Sequence, residues 1–208
     1  YTTGTFAGIF SQPSNIDINN PLVVFNIRDL EDELRPVAMY IVLNYIWNKT
    51  KADQRKRMLV VDEAWQLMKY EDSANFLFSL AKRARKYNLG ITTITQDVED
   101  FMGSRMGRAI VANASMQLLL KQSSSAVDVL ADVFKLTSEE KKRLSQFPVG
   151  QGLFFAGSNH VHIQIAASPT ETSLITTDPE QTKIVEQQAQ QDQVDLDQTG
   201  YNNTVNIQ

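Results

Sequence analysis

Arg57-Met58-Leu59-Val60-Val61-Asp62-Glu63-Ala64-Trp65 is the stretch on which the reading of this chain turns. Met58 to Val61 form a short, unbroken apolar run. That pattern predicts a strand buried on both faces, as in a parallel sheet. The run ends on two adjacent carboxylates. At the carboxyl end of a strand in an open α/β sheet, such groups sit at the crevice where ligands bind. An ordinary strand end, with Asp62 or Glu63 capping the next helix, would read the same way. The flanking sequence has to decide.

Downstream, a helix is expected from about Asp72 to Tyr87, with Phe76, Leu77, Leu80, Ala81 and Ala84 as its buried stripe. Asn88-Leu89-Gly90 ends it, with Gly90 near the expected C-cap. Ile91-Thr92-Thr93-Ile94-Thr95 is β-branched throughout and reads as a strand, with Gln96 and Asp97 at its carboxyl end. Upstream, Leu22-Val23-Val24-Phe25-Asn26-Ile27 repeats the buried-strand pattern. Pro36 suits the first turn of a helix whose apolar period runs from Val37 to Trp47, and a charged linker, Lys49 to Arg57, leads back to the acidic strand.

Beyond Gln96, short helices are expected at Val98–Phe101 and Met106–Asn113, a strand at Ser115–Lys121, and helices at Ser125–Phe134 and Ser138–Gln146. Thr137 and Glu140 form a capping box for the last of these. Gly150–Ala156 and Val161–Ala167 read as a hairpin turned at Gly157-Ser158-Asn159. Strands alternating with helices predict an α/β fold, its sheet mostly parallel with an antiparallel hairpin at the edge. Residues 1–20, rich in Thr, Gly, Ser and Asn, read as loop, and a start in mid-loop suggests a piece of a larger protein. A helix at 180–193 is a further expectation.

In nucleotide hydrolases of the P-loop class, the first acid of such a pair helps hold Mg²⁺ and the second activates the attacking water. Asp62 and Glu63 are the candidates here. A glutamine on the neighbouring strand end, Gln96, suits orientation of that water. Apolar-Asp-Glu followed by Thr-Gln is far more specific than either piece alone. Four bases, Lys82, Arg83, Arg85 and Lys86, crowd a helix C-terminus, where they also offset the helix dipole. Arg85 is ranked first as a cation reaching the phosphates bound by an adjacent subunit, ahead of Arg83, Arg105 and Arg108. His160 and His162 share a strand face but lack a third metal ligand nearby. Gly150-Gln151-Gly152 lies in a hairpin and is turn chemistry rather than a dinucleotide fingerprint. No G-x-x-x-x-G-K-S/T run occurs anywhere, so the cradle for the phosphates is missing from these residues.

Composition is that of a globular chain: 208 residues, 42% hydrophobic and 21% charged. The absence of cysteine removes disulfides and thiolate metal sites and fits a cytosolic protein. No apolar run reaches the ~20 residues of a membrane span. The net charge of -4 is concentrated in the Gln-rich stretch from 177 to 208, which holds six acids against one base. The rest is close to neutral and makes no electrostatic case for tight nucleic-acid binding.

Leu59-Val60-Val61-Asp62-Glu63-Ala64-Trp65, Arg85-Lys86-Tyr87-Asn88-Leu89-Gly90 and Thr93-Ile94-Thr95-Gln96-Asp97 together resemble the C-terminal ATPase domain of the VirB-four/TraC family. These are traffic ATPases of type IV secretion and conjugation systems, similar to the HerA/FtsK pumping ATPases. Gly4-Thr5-Phe6-Ala7-Gly8 and Ala167-Ser168-Pro169-Thr170-Glu171 add to the resemblance, which covers residues 1–176 and leaves 177–208 as an acidic tail. It implies a RecA-like three-layer fold, ATP with Mg²⁺, a homo-oligomer (a hexamer), and a place at the cytoplasmic face of the inner membrane beside other secretion components. By the same resemblance Asp62 helps hold Mg²⁺ through water, Glu63 is the base, Gln96 the sensor and Arg85 a contact in trans. In the family the phosphate-binding loop lies upstream of these segments. A non-catalytic assembly module of the same fold and a DNA-pumping ATPase are the competing readings.

Overall fold

The computed structural model describes residues 20–184, apart from 28, 54, 158, 177, 180 and 181. The chain divides into two compact units, Tyr1–Ala114 and Ser115–Gln208.

The first unit is built around a pair of parallel strands. Helix α1, Arg35–Ala52, carries Pro36 in its first turn, where the missing N–H is not needed. Its buried side, Met39, Leu43, Trp47 and Thr50, follows the three-and-four spacing of a helical face. Strand β1, Arg57–Val61, leads through Asp62 and Glu63 into a 3₁₀ segment, Ala64–Lys69. Helix α2, Glu71–Ala84, then returns the chain to the start of β2, Leu89–Thr93, which pairs with β1 in parallel from Arg57↔Leu89 to Val61↔Thr93. Parallel neighbours need such a crossover, and α2 supplies it. Ala74, Leu77 and Leu80 of α2 are at most 3% exposed, with acids in its first turn and bases in its last, as the helix dipole favours. Two short helices follow: α3, Val98–Gly103, and α4, Arg105–Asn113. Gly107 is where they meet, since a Cβ there would lie 1.9 Å from the Phe101 carbonyl oxygen.

The second unit is an antiparallel sheet with helices. Strand β3, Met116–Leu120, precedes α5, Ser124–Phe134, and α6, Ser138–Gln146; strands β4, Gln151–Ala156, and β5, Asn159–Gln164, form a hairpin, and α7 is Pro169–Ile175. The strand order is β3-β4-β5, antiparallel throughout. Leu119, Leu153 and Phe155 are buried on one face, where Phe155 meets Phe134 of α5 at 5.1 Å between ring centroids.

The α/β class is as expected, but four details differ. The sheet is not mostly parallel: among the described residues one parallel pair stands beside two antiparallel pairings, in two separately hydrogen-bonded sheets. β1 is covered on one face only, since Met58 is 75% and Val60 53% exposed. The stretch from Val23 to Ile27 has no regular secondary structure, and Leu22 and Val24 are exposed. The left-handed residue after α2 is Asn88 (φ 56°), not Gly90, which lies inside β2 opposite Met58. The last turn of the helix tightens to 3₁₀ at Arg85–Tyr87, so the chain reverses two residues early, and asparagine tolerates that conformation. The loop expected at 1–20, save its last residue, and the helix expected at 180–193, save Thr182–Ile184, lie outside the described residues.

Candidate active site

The carboxyl ends of β1 and β2 are joined beyond the regular ladder. Ile94 donates its N–H to the Val61 carbonyl and Ala64 donates to the Ile94 carbonyl, both at 2.9 Å. The backbone between these two ties must turn sharply, and Glu63 absorbs the turn in the left-handed region (φ 49°, ψ 43°). For a residue with a Cβ this costs about 1–2 kcal/mol, a strain that persists only where neighbours over-determine it. The two backbone ties do so, and the Asp62 carboxylate adds a third by accepting the Glu63 N–H at 2.9 Å.

This turn carries the Glu63 side chain to two donors. The Trp65 indole N–H donates to Oε2 at 2.6 Å, and the Gln96 amide donates to Oε1. The second contact spans the two strands and 33 positions of sequence. Gln96 is held between fixed neighbours: Thr95 Oγ1 donates to the Asp97 carbonyl at 3.0 Å, and Asp97 caps α3 by accepting the Asp100 N–H at 2.9 Å. Asp62 and Gln96 are exposed and Glu63 is half-buried. The rim therefore presents three polar side chains, expected from the sequence to converge and found together. The pairing of Trp65 with Glu63 was not anticipated, because a single indole two positions after an acid carries no periodic signal.

Arg85 lies at the other end of the same strands. It opens the 3₁₀ turn that precedes β2, and the Arg57 N–H, at the start of β1, donates to the Asn88 carbonyl at 3.0 Å. The four steps along β2 alone place about 13 Å between that end and the rim. Of the rivals, Arg83 is occupied, donating to the Ser79 carbonyl at 3.1 Å with its guanidinium 5.3 Å from the Trp47 ring centroid. Arg108 donates to the last carbonyls of α3, at 2.6 Å from Met102 O. Arg85 and Arg105 are exposed, and no side-chain hydrogen bond or ion pair of theirs is found among the described residues.

The histidine pair resolves into packing. His160 Nε2 lies 2.9 Å from Glu140 Oε1, and His162 stacks on Phe147 at 4.8 Å. Among the described residues no three His, Asp or Glu side chains gather as a metal site. Asp62 thus offers one carboxylate, which suits Mg²⁺ when waters and phosphates complete the shell and does not suit a closed protein cage.

Comparison with known proteins places the chain among its relatives. A model of the TraG P-loop domain matches residues 1–193. Protein TraC of Escherichia coli (strain K12) is 31% identical over 132 residues, covering 58% of this chain and 15% of that protein. The DNA import protein CedB of Sulfolobus acidocaldarius is 39% identical over 82 residues, covering 36% of this chain and 14% of that protein. The structure of VirB4 of Thermoanaerobacter pseudethanolicus superposes with a TM-score of 0.70 at 33% identity, over 76% of this chain and 44% of that one. The chain thus spans about one-seventh of the length of the curated relatives it matches. With its α/β architecture and the match over nearly its whole length, the chain belongs to the TraG P-loop domain family.

Proposed function

We propose that this chain is part of an ATPase motor that energises substrate transfer or pilus assembly in a type IV secretion or conjugation system. The observation that carries the reading is the meeting of Glu63 and Gln96 at the shared carboxyl rim of two parallel strands. That rim is where α/β folds bind ligands, and the pair has the chemistry of a base and a water-orienting amide.

In this reading Glu63 accepts the proton of the attacking water, and Gln96 aligns that water while bonded to the same carboxylate. Asp62 would be the carboxylate that helps hold Mg²⁺. When bound, the metal supplies positive charge that offsets charge on the phosphates. No phosphate-binding loop motif lies within the 208 residues, so in this reading that loop is not assigned to any of them. Arg85 is too far along β2 to serve its own rim, so it acts across an interface. A head-to-tail interface presents one end of a subunit to the other end of the next, and when it closes it makes a ring; a hexamer is the ring proposed here. No helix among the described residues is long and apolar enough to cross a membrane. In this proposal the motor works at the cytoplasmic face of the membrane, beside other components of the apparatus.

A second reading, a DNA-pumping ATPase, draws on bases from Lys49 to Arg57 and from Lys82 to Lys86 at the amino end of the β1–β2 pair. It is favoured if DNA binding falls steeply with salt. A non-catalytic assembly module remains if nucleotide is never turned over.

The deciding experiment uses the protein with its phosphate-binding loop in place. Glu63→Gln should keep ATP binding and lose turnover, and near-normal hydrolysis would remove Glu63 as the base. Mixing Arg85→Ala subunits with Glu63→Gln subunits should restore part of the activity. No restoration with assembly intact would make Arg85 structural.

A further inference from the structure

We infer that Trp65 is the positioning residue for the Glu63 carboxylate, an inference that rests on Glu63 acting as the base. The two donors on that carboxylate differ in how firmly they are held. Gln96 is exposed and carries three side-chain torsions. Trp65 carries two, is half-buried, and rides on the 3₁₀ segment Ala64–Lys69, where Ala64 and Leu67 are fully buried. Its ring is further engaged by the Lys69 ammonium, 4.6 Å from the ring centroid. A cation over an indole face also draws electron density from the ring and strengthens the N–H as a donor.

The 2.6 Å bond from Trp65 Nε1 to Glu63 Oε2 is a charge-assisted one, short and directional. It fixes one oxygen, so rotation about the terminal torsion of Glu63 is stopped, and Oε1 is set where Gln96 meets it. Each carboxylate oxygen has two lone pairs, so both donors can remain while the carboxylate takes a proton from water. The indole thus orients the base and leaves lone pairs on the carboxylate to receive the proton. Gln96, the more exposed donor, faces the side where the attacking water is proposed to lie.

The test is Trp65→Phe, which keeps the aromatic packing and deletes the donor. Turnover should fall about 10- to 100-fold, the scale of a misaligned catalytic group, while KM for ATP stays within about twofold. In a Glu63→Gln background the same change should cost nothing more, because Trp65 acts only through Glu63. A packing role would lower activity or stability equally in both backgrounds and would overturn the inference. So would unchanged turnover in Trp65→Phe. If Glu63→Gln itself hydrolyses normally, it is the base assignment that has failed. The contact itself is read separately in the 208-residue chain: with Trp47→Phe leaving one indole, the Trp65 Nε1–H proton resonance should move upfield in Glu63→Ala. A resonance that does not move would mean the bond is absent.

Discussion

Glu63 in the first unit and Glu140 in the second are both glutamates with both carboxylate oxygens engaged, yet they are held in opposite ways. Glu140 sits in the first turn of α6 and closes a capping box: Oε2 accepts the Thr137 N–H and Thr137 hydroxyl, each at 2.8 Å, and Oε1 faces His160 of β5. Its backbone is ordinary helix and its main partner is three residues away. Glu63 has a left-handed backbone and bonds two side chains, one of them on another strand. A local partner satisfies an orphaned helix N–H and stabilises the fold. Distant donors on a strained residue add nothing that the helix or sheet needs, and it is on this contrast that the proposal of Glu63 as the base rests.

The largest expected difference is in turnover. Glu63→Gln should slow hydrolysis about 10²- to 10³-fold, the usual scale of a lost general base, whereas Glu140→Gln should leave it within about twofold. Steady-state phosphate release by the protein with its phosphate-binding loop reads both. Comparable losses from the two would erase the distinction.

Stability should respond the other way. Glu140→Ala removes the box and should cost about 1 kcal/mol at neutral pH, measured by urea unfolding of the 208-residue chain. The bond from the Thr137 backbone, then that from its hydroxyl and the nearby His160, holds the Glu140 carboxyl below its ordinary value of 4.5 against the opposing effect of burial. A depressed folded value means that the stabilisation is present above the unfolded value and lost as pH falls through the folded one. The gap between wild type and Glu140→Ala should therefore narrow only in acid, below pH 4.5. A gap unchanged down to pH 2 would exclude the carboxylate as its source.

What could be read in advance follows the same division. The rim was legible because a continuous apolar run and a β-branched run each end on polar residues, and strands joined by one helix pair in parallel. The Thr137–Glu140 box was legible because its partners lie three apart. The exposed face of β1 was not: Met58 and Val60 read as buried, but coverage depends on what packs on them, which local pattern does not encode. The choice between Asn88 and Gly90 was hidden too, since both residue types accept the left-handed region and the 3₁₀ ending of α2 decided it. Trp65 was hidden because its bond depends on the turn at Glu63, and a left-handed glutamate is invisible in sequence.

That turn yields the smallest predicted effect and the most direct one, since it compares signs. Glu63→Ala and Glu63→Gly both delete the carboxylate, so their difference isolates the backbone. Glycine enters the left-handed region without steric cost, so Glu63→Gly should be the more stable of the two, by about 0.5–1 kcal/mol. At Glu140 the order should reverse by a similar amount, because glycine in a helix is less favourable than alanine. Both pairs are compared by urea unfolding at pH 7 in the same chain. If alanine is favoured at both positions, the backbone at Glu63 is not strained. The rim would then be an ordinary turn whose side chains meet without being forced together.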